Sequence, residues 1–152
     1  MGTSTDAILA YGYDLGDPES GWKVQEADEY GGLTVDWYDE GGDFMDAVEK
    51  RLLAAAGFTE TDWQVDGYFQ RKREALAIFG VKAVSHCHHD YPMYILAAHS
   101  MTAYRESPKT VGLAELLALQ EDADARLARA LEVLGLTPTQ ESPAWLLASD
   151  WG

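Results

Sequence analysis

VKAVSHCHHDYPMYILAAHSMTAYR, residues 81–105, is the stretch on which the fold turns. It divides at Asp90-Tyr91-Pro92 into two runs, 81–89 and 91–105, both rich in strand-forming residues. In the second run Met93, Ile95 and Ala97 fall on one face and Tyr94, Leu96 and Ala98 on the other, the period of a pleated strand. Two strands joined by so short a turn predict an antiparallel hairpin.

Upstream of it lie helical signals. Phe44, Val48 and Leu52 recur every fourth residue behind an N-cap candidate, Asp43, and Gly57 ends the run. Thr59 and Asp62 resemble a capping box, predicting a second helix through Trp63, Phe69 and Leu76 to Phe79, with Gly67 as a break point. Farther back, DAILAYGYD (6–14) reads as a central strand, Tyr11 and Tyr13 on a face with Leu9 and the small Ala10 and Gly12 opposite. Downstream, residues 113–134 place Leu116, Leu117, Leu127, Leu131 and Leu134 on one helical side, with a pause at Gln120-Glu121-Asp122. AWLLASDW (144–151) supplies a last strand.

The sum is a single α+β domain over 1–152: an antiparallel sheet of about four strands with helices on one face, in the ferredoxin-like βαββαβ order. The alternative is a less regular antiparallel sheet with helices on one face. An acidic, hairpin-like excursion, about 15–42, interrupts the order after the first strand. Within it Leu33, Val35 and Trp37 alternate with polar neighbours as a half-buried strand would, and Trp22-Lys23-Val24 is a short partner.

Charge is the unusual bulk property: 26 Asp and Glu against 11 Lys and Arg, a net −15. Asp14, Asp17, Glu19, Glu26, Asp28, Glu29, Asp36, Asp39, Glu40, Asp43 and Asp46 face Lys23 alone, −10 of that total. Such a field repels nucleic acid and anionic membrane and attracts basic partners. Direct nucleic-acid and membrane binding are therefore excluded, whereas a surface mimicking the phosphates of nucleic acid is compatible with it. EF-hand spacing is absent. The opening Met1-Gly2-Thr3-Ser4-Thr5 lacks the basic and apolar regions of a leader, and one cysteine, Cys87, makes no internal disulfide. Both point to the cytoplasm.

Candidate chemistry concentrates in His86-Cys87-His88-His89-Asp90. Imidazole, thiolate and carboxylate are zinc ligands, but on a regular strand His86 and His88 share one face and Cys87 and His89 the other. A metal site would use His86, His88 and Asp90. His99, four residues too far along the neighbouring strand, falls outside it. Cys87 reads as a small packed thiol, since no base faces it. No GxSxG, HExxH, CxxC or phosphate loop occurs.

Three segments, TSTDAILAYGYDLG (3–16), DWQVDGYFQRKREA (62–75) and GLTPTQESPAWLLASDWG (135–152), resemble small proteins of actinobacteria and their phages, a group without an assigned activity. The resemblance implies a bacterial or phage accessory protein and transfers no catalytic residue. Taken together, the expectation is a non-enzymatic interaction protein, an inhibitor or nucleic-acid mimic, that binds a basic protein without a cofactor. Asp28, Glu29, Asp36, Trp37, Asp39 and Glu40 are its contact residues. Aromatics in turns or at strand ends, Trp22, Tyr30, Tyr38, Tyr91 and Trp151, suit such a role or plug loops. The rival is a metal-binding protein or metal-dependent enzyme centred on His86, His88 and Asp90. An exposed strand edge leaves room for a homo-oligomer.

Overall fold

A computed structural model describes residues 4–152; Met1, Gly2 and Thr3, which carry part of the leader reading, lie outside the described residues. The strands are β1 (Thr5–Asp17), β2 (Gly21–Trp22), β3 (Lys82–His88), β4 (Tyr91–Ala103) and β5 (Ala144–Trp151). The helices are α1 (Phe44–Ala55), α2 (Tyr68–Phe79), α3 (Leu113–Gln120) and α4 (Ala123–Leu134). No helix among the described residues is long and apolar enough to cross a membrane.

The hairpin is present, with His86 opposite Met93 and His88 opposite Tyr91. β1 is central: it pairs antiparallel with β4 along one side and with β5 along the other, β2 adding two pairs at its end. The sheet is nevertheless mixed, which corrects the purely antiparallel expectation. β3 and β5 meet in parallel through Cys87↔Asp150 and His88↔Trp151. Strand twist explains this fifth contact. From Tyr91 the pairings lead to His88, then Trp151, then Thr5; two residues along β1, Ala7 faces Ala103. One circuit thus returns to the opposite end of β4, the stagger that steeply tilted strands produce when a sheet closes on itself.

Helices cover one face. Val48 and Leu52 of α1, Phe79 of α2 and Leu127, Ala130 and Leu134 of α4 pack with Tyr11, Leu15, Tyr94 and Leu96 of the strands. The other face holds only strand residues, with Ile8, Ala10, Ile95 and Ala97 at its centre. Small side chains are needed there. At Gly12, where the β1–β4 register shifts, a Cβ would lie 1.8 Å from the Leu96 carbonyl oxygen.

Asp43 caps α1, its Oδ1 accepting from the Asp46 amide at 3.2 Å. One expected helix is shortened, starting only at Tyr68 after the Gly67 break, and one expected strand is absent. Residues 59–67 are not helical: Glu60 and Asp62 spend their carboxylates on the amides of Thr61, Asp62 and Gln64, and Gly67 adopts a left-handed φ of 76°. Competition of this kind between side chain and backbone ends helices. Residues 33–37 form no strand, only a bridge from Leu33 to Ala27. With no strand alongside, their apolar side chains pack on the core instead. The pause at 120–122 does divide α3 from α4.

Candidate functional site

The acidic excursion is held at both ends and in its middle. Asp17, 5% exposed, accepts from the amides of Glu19 (2.7 Å) and Ser20 (2.8 Å) and from the Ser20 hydroxyl. Burial pushes its pKa up, but these donors and Lys23 outweigh burial and hold it below the usual carboxylate value. Trp22 and Val24 are buried, Trp22 lying 4.8 Å from Phe44 and 6.0 Å from Tyr94, ring centre to ring centre. Gln25 donates to the Thr137 carbonyl, and Thr139 to that of Lys23, so the loop runs along the α4–β5 connection. Glu26 accepts from the Thr137 amide at 2.8 Å.

Against this scaffold the expected contact residues separate into three kinds. Trp37 turns inward: its indole donates to the Leu134 carbonyl at 2.7 Å, satisfying a free acceptor at the end of α4. Asp28 and Asp39 are exposed but also shape the loop, Asp28 accepting from Tyr30 and Gly32 and Asp39 from Gly41. Glu29, Asp36 and Glu40 are exposed and free of hydrogen bonds or ion pairs with described residues. The structure brings Asp28 and Glu40 together around Gly32, where a Cβ would meet Glu40 Oε1 at 2.7 Å and Asp28 Oδ2 at 3.2 Å. Tyr30, 89% exposed, projects beside them.

The histidine segment departs from regular alternation. Cys87 has a φ of 72°, the left-handed region, which turns the strand at that point. As a result His86, His88 and His89 line one cavity of about 270 Å³, together with Asp43, Tyr94 and Asp150. This corrects the two-face assignment. Burial lowers the His86 pKa, against the pull of Asp14 and Asp150, and its Nε2 is buried without a hydrogen-bond partner. His88 Nδ1 accepts from the Asp90 amide at 3.1 Å, and its ring sits 4.5 Å from that of Trp151. His89 Nε2 lies 3.6 Å from Asp150 Oδ1.

Asp90 is 79% exposed at its side chain, 3.8 Å from His88 Nδ1 and absent from the cavity wall. Among the described residues no three His, Cys, Asp or Glu side chains are placed to hold one metal ion. Asp43 and Asp150 join this cluster from opposite parts of the chain, and no spacing in the sequence could have announced them. His99 lies elsewhere, its Nε2 2.8 Å from the Arg126 guanidinium. No family model, curated protein or solved structure matches this chain.

Proposed function

We propose that this protein is a non-enzymatic interaction protein that engages a basic protein partner through its acidic excursion, as an inhibitor or a mimic of nucleic acid. One observation supports the reading above others: exposed Asp28, Glu29, Asp36, Asp39 and Glu40 sit on a loop fastened to the core through Trp22, Val24 and Trp37. A flexible acidic loop would lose conformational entropy on binding; one already fastened loses less, so more of its charge attraction reaches the complex. The ferredoxin-like reading accompanies it: β5, β1, β4 and β3 neighbour one another antiparallel, with the excursion inserted after the first strand. A bacterial or phage origin and a cytoplasmic setting belong to the same proposal.

The test is titration of a lysine- and arginine-rich peptide against wild type and the triple variant Glu29→Gln/Asp36→Asn/Glu40→Gln. Exposed charge pairs contribute about 0.2–1 kcal/mol each, so the variant should bind roughly 3- to 100-fold more weakly at low salt. Added salt should weaken wild type more steeply than the variant. Equal affinities, or binding indifferent to salt, would end the proposal. Elemental analysis of untagged protein tests the rival metal reading separately.

A further inference from the structure

The strong negative charge of this chain makes a long stretch of opposite sign conspicuous. Residues 67–120 carry Arg71, Lys72, Arg73, Lys82, Arg105 and Lys109 against Glu74, Asp90, Glu106 and Glu115, a local net charge of +2 in a chain of −15. Arg73 and Lys82 line the same cavity, about 340 Å³, where the end of α2 passes into β3. Neither has a hydrogen bond or ion pair with a described residue. The single carboxylate in the wall, Glu49, is held by Lys72 at 3.1 Å. Two free cations therefore face a recess whose only acid is already neutralised.

The recess is apolar at its floor and rigid at its back. Leu76, Val81 and Ala97 line it, the last two almost fully buried. β4 pairs with β3 only as far as Lys82↔Ala97, so from Ala98 onward it has β1 on one side and the open recess on the other. Arg126 of α4 ties the back wall together. It donates to the carbonyls of Gly80 and Ala98 and approaches His99 Nε2 at 2.8 Å. A guanidinium cannot accept, so His99 Nε2 is the acceptor and the ring is neutral. Burial first, and Arg126 second, hold its pKa below the ordinary histidine value. Gly80 makes the arrangement possible: it ends α2 with a φ of 59°, and a Cβ there would stand 2.5 Å from the Arg126 nitrogen.

We propose that this cavity binds a small organic anion, a carboxylate carried on an apolar body. Its charge lies between Arg73 and Lys82, and its body rests on Leu76, Val81 and Ala97. Arg126 and His99 act as positioning residues behind it. The volume is at the low end of ligand pockets, about 300–1,000 Å³, which suits one ring or a short branched chain. Cations beside an apolar floor favour a ligand that carries both halves, and either half alone should bind more weakly. This site is independent of the acidic excursion.

Benzoate is the probe, with benzyl alcohol as its uncharged counterpart and inorganic phosphate as charge without the apolar body. In ¹⁵N-resolved NMR titrations, benzoate should shift the amides of Gly80, Lys82 and Ala98 saturably. Arg73→Gln/Lys82→Gln should weaken benzoate about tenfold, a loss expected for two partly exposed charge contacts. Benzyl alcohol should bind wild type and variant alike, and both side chains are exposed, so the variant's remaining amide spectrum should be unchanged. No saturable shift at these amides, undiminished benzoate affinity in the variant, or phosphate binding as tightly as benzoate would each overturn the assignment.

Discussion

Tyr11 shows how much a single side chain settles. It is 3% exposed, packs its ring at a tilt against Trp145 of β5, 5.1 Å between ring centres, and donates to Asp124 of α4 at 2.6 Å. Burial, then the bond to the Asp124 carboxylate, pushes its pKa up to about 12. The unfolded chain releases that proton near pH 10, and the folded protein does not. Stability from this group is thus complete below about pH 10, drains between about 10 and 12, and is gone above, up to roughly 3 kcal/mol in all. Urea unfolding of wild type and Tyr11→Phe across this range should show a stability difference that shrinks as pH rises. A constant difference would mean that the phenol proton is not coupled to folding. The tyrosine's place on the packed face was readable from its alternation with Ala10 and Gly12. Its partner, 113 residues away on a helix, was not.

At the scale of elements, α3 and α4 share a leucine-rich composition and differ in what they do. α4 buries Ala123, Leu127, Ala130 and Leu134, whereas α3 buries nothing and leaves Leu113 78% and Leu117 66% exposed. Leu127→Ala should cost about 2–5 kcal/mol in denaturant unfolding, and Leu117→Ala within about 0.5 kcal/mol. Comparable losses would show that α3 is as firmly docked as α4. A leucine periodicity announces a helix and an apolar side but not whether anything covers that side. The same limit explains the rest. α1 was legible because cap, spacing and glycine stop agreed. Residues 59–67 misled because Thr59, Glu60 and Asp62 suit a turn as well as a helix start. The cavity of three histidines was hidden because Cys87 takes a left-handed φ, which strand alternation does not anticipate.

For the molecule as a whole, 26 acidic residues repel one another across a sheet that hydrophobic packing holds together. Lys23–Asp14, Lys72–Glu49 and Arg126–Asp122 relieve little of this, since each pair includes an exposed partner. Raising salt shortens the screening length from about 10 Å near 0.1 M to about 3 Å near 1 M. The melting temperature should therefore rise by several degrees, each ~1 kcal/mol counting about 2–4 °C at this size. A fall on adding salt would show that the local pairs outweigh the global repulsion.

The closed circuit of strands also sets a timetable. Ala7 awaits Ala103, and Thr5 awaits Trp151, the latter 146 residues downstream. On a ribosome adding about 5–20 residues each second, β1 emerges first and stays unpaired on both sides for much of synthesis. Contacts this distant in sequence also form slowly, because the intervening loop must close before any bond rewards it. A nascent chain with an apolar, two-faced strand in waiting is a natural client for the chaperones that meet polypeptides at the exit tunnel.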